Sequence, residues 1–150
     1  MELNLIVMCG LQCSGKSTMA KELAKKYDAV VISSDSLREH YPSFDNAKIF
    51  HTVYMLMNVY LKNGTSVIID ATNTTIKTRK KLFENLKVKD CNKICYVINT
   101  PTDECIRRLK QRNLSDYPHK FGEEVILKYS KAYKEPTLEE GFDKIIKDNT

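Results

Sequence analysis

The clearest chemical feature of this sequence is a glycine-rich segment near its N-terminus, GLQCSGKS over residues 10–17. It directly follows an apolar run of strand length and directly precedes a segment with helical spacing. Glycines let the backbone turn tightly, so that successive N–H groups point at one anion, and the start of a helix adds positive potential. In this spacing the lysine, Lys16, neutralises the β- and γ-phosphates, and the hydroxyl of Ser17 is placed to ligate Mg²⁺. The segment therefore predicts a binding site for ATP and Mg²⁺.

The whole loop supplies candidate nucleotide contacts, because its backbone N–H groups surround the phosphates. The set is Gly10, Cys13, Ser14, Gly15, Lys16, Ser17 and Thr18. The alternative is a glycine-rich turn with an incidental lysine, but the flanking strand and helix patterns favour the phosphate site. Cys13 would favour a thiolate if it is exposed, because N–H groups and Lys16 lie near it; the other interpretation is a simple loop filler.

A second pair of chemical groups follows the next apolar run. Asp35 and Arg38 are three residues apart, which places them on one side of a starting helix. In an open α/β sheet, ligands bind beyond the carboxyl ends of the strands, so both groups would face that crevice. Asp35 is a candidate base for an attacking hydroxyl, and Arg38 is a candidate contact for an anionic acceptor. The alternative is that Asp35 caps the helix and pairs with Arg38.

A third apolar run, residues 67–69, ends in an acid, Asp70. An apolar strand followed by a carboxylate is typical of a Walker-B segment, in which the acid holds Mg²⁺ directly or through water. Thr72 and Asn73 follow and offer neutral hydrogen-bonding groups to an acceptor or to the γ-phosphate. The alternative for Asp70 is a structural carboxylate that accepts hydrogen bonds from nearby N–H groups.

Three arginines, Arg107, Arg108 and Arg112, precede a polar segment over residues 113–121 that is typical of a mobile cover. A phosphoryl-transfer site needs such lid arginines, because charge develops on the transferring group and water must be excluded. Arg112 lies nearest the segment and is the first candidate. The alternative for each arginine is a surface position without a role in the site.

The rest of the chain alternates between short apolar runs and longer helical ones. The strand-like runs cover residues 3–8, 29–32, 66–69 and 94–98, with a weaker one at Ile145 and Ile146. Continuous hydrophobicity indicates strands covered on both faces, hence a parallel sheet with right-handed crossovers. Helices are predicted over residues 16–27, after Asp35, from an N-cap at Asp45 to Gly64, over 77–86 and over 103–111.

Length and composition set the remaining limits. A chain of 150 residues with 42% hydrophobic content is sufficient for one domain, residues 1–150. No apolar run reaches the roughly 20 residues of a membrane helix, and the five cysteines form no C-x-x-C pair, so we expect a soluble cytoplasmic protein with reduced thiols. The net charge of +5 includes basic clusters at residues 77–81 and 107–112, which suit a polyanionic ligand or are solvated helix faces.

Taken together, these motifs resemble the polynucleotide-kinase-like and zeta-toxin-like branch of P-loop kinases. The resemblance rests on residues 10–18, 35–38, 67–73, 112–113 and 135–142. It implies a three-layer α/β/α P-loop fold with a five-stranded parallel sheet, adenylate-kinase-like topology and a helical lid. It also implies that Asp35 is the general base, that Arg38 contacts the acceptor's phosphate, and that Arg112 is the first lid arginine.

Two departures bear on the acceptor. The phage-type polynucleotide kinases carry a second lid arginine where this chain has Asp116, so either Lys120 or Arg108 compensates or the acceptor differs. Those enzymes also place their strand acid one residue later than Asp70. The resemblance favours the 5′-hydroxyl of a polynucleotide as acceptor; the alternatives are a metabolite or nucleotide-sugar hydroxyl, and a nucleotide-dependent switch with little transfer activity.

Overall fold

The computed structural model describes residues 2–116 and 120–148, which form a central sheet with helices on both faces. The strands are β1 (Asn4–Cys9), β2 (Ala29–Ser33), β3 (Ser66–Asp70), β4 (Asn92–Ile98) and β5 (Lys144–Asp148). The helices are α1 (Lys16–Tyr27), α2 (Ser34–His40), α3 (Asn46–Lys62), α4 (Ile76–Asn85), α5 (Thr102–Asn113) and α6 (Glu123–Ala132), with a 3₁₀ turn at Leu138–Glu140.

The five strands are all parallel and lie in the order β2-β3-β1-β4-β5. Every residue of β1 is buried, because this strand lies in the middle of the sheet and helices cover both faces. The predicted five-stranded parallel sheet is confirmed, including the strand that contains Ile145 and Ile146. This order brings the carboxyl ends of β1, β2 and β3 to the same edge of the sheet.

Alternating side chains of β1 pack into two separate cores. Ile6 and Met8 pack with Ala20 and Leu23 of α1 on one face. Leu5, Val7 and Cys9 face the opposite layer, where Val53 of α3 and Leu82 of α4 complete the core. The result is the three-layer α/β/α arrangement that the sequence predicts.

Most helix boundaries agree with the prediction. Asp45 is the N-cap of α3, and its side chain accepts a hydrogen bond from Lys48 N at 2.9 Å. Helix α6 is the exception, since the sequence pattern indicated a lid without giving it a helix at these residues. The apolar residues Val125, Ile126 and Tyr129 do follow helical spacing there, so the prediction missed a pattern that the sequence contains.

Arg79 departs from the interpretation of residues 77–81 as an exposed basic cluster. Its side chain is fully buried, with Nε 2.7 Å from Glu140 Oε1 and Nη1 donating to the carbonyl of Asn73 at 2.9 Å. That interpretation is wrong for Arg79, because this guanidinium joins α4 to the chain near Glu140 inside the protein. Lys77, Lys80 and Lys81 are exposed.

The helices of residues 2–116 and 120–148 all lack the combination of length and apolar character needed to cross a bilayer.

Candidate active site

The glycine-rich loop begins where β1 ends and is held by the two strands beside it. Gly10 N donates to the carbonyl of Thr72 after β3 at 3.0 Å, and Thr100 Oγ1 after β4 donates to Ser14 O at 2.7 Å. A Cβ on Gly10 would lie 2.9 Å from Ser14 Oγ and 3.2 Å from the Ile98 carbonyl, and Gly15 has a φ of +100°. Both positions therefore require glycine, which explains their spacing in the sequence.

Lys16 folds back over this loop, and its Nζ donates to the carbonyl of Leu11 at 2.8 Å. The side chain is buried, and burial lowers the pKa of its ammonium group although the carboxylates of Asp70 and Asp35 act in the opposite direction. Within the part of the chain that the structure describes, Lys16 is in no ion pair closer than 4.0 Å. A bound phosphate would supply the missing negative charge.

Ser17 and Asp70 meet beside the loop, with Ser17 Oγ donating to Asp70 Oδ2 at 2.9 Å. Asp70 is buried, and burial raises the pKa of its carboxyl, while the hydrogen bond from Ser17 and the charge of Lys16 lower it. A hydroxyl and a carboxylate are the hard oxygen donors that Mg²⁺ prefers. Residues 2–116 and 120–148 contain no group of three His, Cys, Asp or Glu side chains able to hold a metal by themselves. The pair therefore fits Mg²⁺ that is shared with substrate phosphates.

Asp35 lies in the first turn of α2 and Arg38 in its last turn, with Asp35 Oδ1 2.9 Å from Arg38 Nη1. Arg38 Nη2 also donates to Asn46 Oδ1 of α3 at 2.9 Å. The cap of α2 is Ser33, whose hydroxyl accepts from Ser36 N, so the interpretation of Asp35 as a helix cap is wrong. The pairing of Asp35 with Arg38 is present, and 80% of the Asp35 side chain is exposed.

These groups line one cleft of about 700 Å³. Its walls include ten of the predicted site residues: Cys13, Gly15, Lys16, Ser17, Thr18, Asp35, Arg38, Asp70, Thr72 and Arg112. Gly10 and Ser14 shape the loop and lie outside the cleft wall. The Ser14 hydroxyl is buried and has no hydrogen-bond partner among the described residues.

Asn73 lies apart from this cleft. It is buried with a φ of +47°, and its Nδ2 donates to the carbonyl of Met8 at 2.8 Å, which ties the end of β3 to β1. It lines a second cavity of about 130 Å³ between α3 and α4. Phe50 and Tyr54 of α3 line the same cavity, and Phe50 also lines the main cleft.

Of the three candidate lid arginines, Arg112 alone lines the cleft, and its Nη1 lies 3.6 Å from Cys13 Sγ. Arg107 and Arg108 both pair with Glu104, at 2.6 and 2.8 Å, and these hydrogen bonds lower the pKa of Glu104 to about 2. Arg108 also donates to the carbonyl of Cys13. These pairings leave Arg112 as the arginine of this helix that faces the cleft.

Two other expectations concern the same region. Cys13 is buried, and burial raises the pKa of its thiol although Arg112, Lys16 and Arg108 lower it. A thiolate at Cys13 was expected only if the side chain were exposed, and the buried thiol does not meet that condition. Neither Lys120 nor Arg108, the two expected replacements for a second lid arginine, is part of the cleft wall. Residues 117–119 of the predicted cover lie outside the described residues.

Sequence reasoning missed part of the cleft wall. Three residues of α6 line the cleft without belonging to any recognised motif, Lys128, Tyr129 and Ala132, as do Asn46 and Phe50 of α3. Phe121, the last residue of the predicted cover, lines the cleft as well. A weak signal existed for α6, because Gly122 is followed by Glu123 and Glu124, and acids favour the first turn of a helix. No local pattern indicates that this helix borders the phosphate-binding loop.

The strand order and the phosphate-binding loop, together with the Ser17–Asp70 pair, define a P-loop kinase. A family model described as an AAA domain matches residues 5–136, and the chain belongs to this family. This match, together with the kinases to which the chain is similar, confirms the predicted class of P-loop kinase.

Particular relatives differ in their acceptors. L-seryl-tRNA(Sec) kinase of Methanococcus maripaludis is 27% identical over 147 residues, which cover 93% of this chain and 56% of that protein. Shikimate kinase of Caldicellulosiruptor bescii is 26% identical over 121 residues, 70% of this chain and 63% of that protein. A chain in the Pnkp1/Rnl/Hen1 RNA repair complex superposes with a TM-score of 0.74 at 25% identity, covering 87% of this chain and 44% of that chain. This chain therefore spans less than two thirds of each of them.

Proposed function

We propose that this protein transfers the γ-phosphoryl group of ATP to the 5′-hydroxyl of a polynucleotide. The observation that carries the proposal is the single cleft lined both by Lys16, Ser17 and Asp70 and by Asp35 and Arg38. Phosphoryl transfer requires chiefly that the two reactants are positioned together and that the developing charge is stabilised. A cleft that contains a phosphate-binding loop and a carboxylate–guanidinium pair supplies both requirements.

On the nucleotide side, Lys16 neutralises the β- and γ-phosphates, and the loop N–H groups hold the phosphate oxygens. Ser17 and Asp70 would hold Mg²⁺, and the bound ion would withdraw charge from the phosphates. The buried ammonium of Lys16 supports this assignment, because it has no ion-pair partner among the described residues and a bound phosphate would supply one.

On the acceptor side, Asp35 accepts the proton of the attacking hydroxyl. The acceptor oxygen forms a bond to the γ-phosphorus as the bond between that phosphorus and the β–γ bridging oxygen breaks, and ADP leaves. Arg38 binds a phosphate of the acceptor, and Arg112 stabilises the charge on the transferring group. The exposure of Asp35 supports its role, since an attacking group can reach it from solvent.

The shape beside the acceptor groups favours an acceptor that carries a flat ring. The cavity of about 130 Å³ is lined by Phe50 and Tyr54 and by Ile69 and Leu82, and it shares Asn46 and Phe50 with the cleft. Nucleobases stack on aromatic side chains, which favours an acceptor with a base. Three exposed lysines of α4 supply positive charge for further phosphates, Lys77, Lys80 and Lys81, the last of which lines this cavity.

The similarity to a seryl-tRNA kinase over 93% of this chain favours a second candidate acceptor, the seryl hydroxyl of an aminoacylated tRNA. This acceptor also carries phosphates and bases, but its hydroxyl belongs to an amino acid. The chemistry on the nucleotide side is the same for both candidates, so the acceptor alone separates them.

The test is transfer of labelled γ-phosphate from ATP with Mg²⁺ to a panel of acceptors at low salt. The panel contains 5′-hydroxyl DNA and RNA oligonucleotides, the same oligonucleotides with a 5′-phosphate, seryl-tRNA, nucleosides, shikimate and common sugars. Asp35→Ala is the inactive variant, and Asp90→Ala, at an exposed position outside the cleft, is its matched control.

We expect label on the 5′-hydroxyl oligonucleotides and none on their 5′-phosphorylated forms, abolished in Asp35→Ala and retained in Asp90→Ala. The signal should also fall steeply as salt rises, because a polynucleotide displaces counterions when it binds. Label on seryl-tRNA alone would establish the second candidate. Label only on a sugar or shikimate would contradict the polynucleotide assignment, and nucleotide binding without transfer to any acceptor would indicate a nucleotide-dependent switch.

A further inference from the structure

Among the residues that the structure describes, four positively charged side chains line the cleft: Lys16, Arg38, Arg112 and Lys128. Lys16 donates to the Leu11 carbonyl, Arg38 pairs with Asp35, and Arg112 contacts Cys13. Lys128 differs, because its side chain has no hydrogen bond or ion pair with any residue in 2–116 or 120–148. A charged group that faces a cleft without a partner is available to a ligand.

Helix α6, which carries Lys128, is anchored to the phosphate-binding loop near its first turn. Ile126 is fully buried in a cluster with Leu109 of α5 and with Leu11 and Cys13 of the loop. Lys128 follows Ile126 by two residues, and Tyr129 beside it also lines the cleft. The N-terminal half of α6 therefore has a fixed position relative to the site where phosphates bind.

The other end of α6 reaches the acceptor side. Just beyond the helix, Lys134 N donates to the carbonyl of Thr74 at 2.8 Å, and Thr74 and Thr75 line the cleft after β3. Ala132, in the last turn, lines the cleft as well. Helix α6 thus extends along the cleft from the phosphate-binding loop to the acceptor side, and Lys128 lies between these two anchor points.

We propose that Lys128 binds the γ-phosphoryl group while it passes from ATP to the acceptor. The proposal rests on the proposed kinase function and adds a residue that no motif in the sequence indicates. In transfer, negative charge is spread over the oxygens of the moving group, and a cation held near it stabilises the transition state. An ammonium on a flexible four-carbon stem can stay with the group along its path, while Arg112 contacts it from α5.

The test compares Lys128→Met and Lys128→Arg with a matched control, Lys131→Met, which lies on an exposed part of the same helix outside the cleft wall. The first readout needs no acceptor: affinity for ADP, for ATP and for ADP with fluoroaluminate, each with Mg²⁺. We expect Lys128→Met to weaken the binding of ATP and of ADP–fluoroaluminate by about tenfold or more, because both carry a group at the γ-position. The binding of ADP, which has no such group, should be unchanged. Lys128→Arg should retain most of the affinity, and Lys131→Met all of it.

The second readout is turnover with whichever acceptor takes the label. Loss of one donor to a transition state typically reduces kcat by about 10²- to 10³-fold, and we expect this for Lys128→Met with an unchanged thermal unfolding midpoint. Equal weakening of ADP and ATP would overturn the proposal in favour of a general nucleotide contact, and unchanged affinities and turnover would also overturn it. Since the binding readout uses no acceptor, it separates failure of the Lys128 role from failure of the polynucleotide assignment.

Discussion

Arg38 Nη1 lies 2.9 Å from Asp35 Oδ1, so the two groups assigned to the acceptor hold each other before an acceptor binds. The other terminal nitrogen of Arg38 is held by Asn46 Oδ1, also at 2.9 Å. Arg38 therefore keeps one anchor on α3 when Asp35 turns toward an incoming hydroxyl. This arrangement places the guanidinium in position at little cost in conformational entropy.

The first prediction concerns Asp35→Asn. We expect phosphoryl transfer to fall by about 10²- to 10⁴-fold, the usual contribution of a positioned base, with ATP affinity unchanged. Because 80% of this side chain is exposed, stability should change by no more than about 0.5 kcal/mol. Single-turnover transfer, ATP titration and urea denaturation check the three statements, with Asp90→Asn as control. Retention of full turnover would contradict the role of Asp35 as base.

The second prediction concerns Lys16→Met. Charge-assisted hydrogen bonds to phosphate contribute about 1.5–3 kcal/mol, so ATP affinity should fall by roughly 10- to 150-fold. The ligand-free protein should unfold at the same or a higher urea concentration, because burial disfavours the ammonium, as the lowered pKa of Lys16 indicates. Lys21→Met, at an exposed position of α1, is the control. A clear loss of stability would mean that the bond from Lys16 to Leu11 outweighs the cost of burial.

The third prediction concerns the buried pair of Arg79 and Glu140. Arg79→Met should destabilise the protein by about 3–5 kcal/mol, since it leaves Glu140 without its cation. The double variant Arg79→Met/Glu140→Gln should recover part of this loss, because it removes the unpaired charge. Urea denaturation measures both, with Lys80→Met on the exposed face of α4 as control. If the loss of stability in the double variant equals the sum of the losses in Arg79→Met and Glu140→Gln alone, the two side chains act independently.

The fourth prediction concerns pH. Burial acts to raise the pKa of Glu140, but hydrogen bonds from Arg79 and Thr137 hold it below the ordinary 4.5. The folded protein therefore binds this proton less readily than the unfolded chain, and the stabilisation is present above pH 4.5 and is lost as pH falls toward the lower folded-state pKa. Glu140→Gln should lower stability at neutral pH and flatten its decline in this acidic range. Denaturation curves from pH 3 to pH 7 check this, with Glu139→Gln as control; parallel curves for the wild type and Glu140→Gln would contradict it.

The parts of the site that the sequence predicts are those fixed by short segments. The loop around Lys16 depends on glycines within eight residues, and each strand that precedes an acid is a continuous apolar run. The rule that parallel strands end at one edge then brings Asp35 and Asp70 to the same cleft. Local physical chemistry was therefore enough for these residues.

The parts that the sequence did not predict depend on tertiary packing. Arg79 lies in a run of exposed lysines, and its partner is 61 residues away, so no spacing rule indicates that this one member turns inward. Helix α6 buries Ile126 against the phosphate-binding loop, and its other side faces a cleft, where an apolar stripe is not needed. The spacing of Val125, Ile126 and Tyr129 is helical, but no local pattern indicates that this helix packs against the phosphate-binding loop.

The contact between Arg79 and Glu140 also constrains how this sequence can diverge. A change at Glu140 leaves the fully buried Arg79 without its partner, and a change at Arg79 leaves the largely buried Glu140 without its own, whereas a joint replacement by uncharged side chains of similar size leaves neither charge. Arg79 also donates to the carbonyl of Asn73, so a substitution of Arg79 removes a hydrogen bond to the loop that follows β3. Over evolutionary time, these two positions should be inherited as a unit, and any descendant that has lost one is expected to have lost the other.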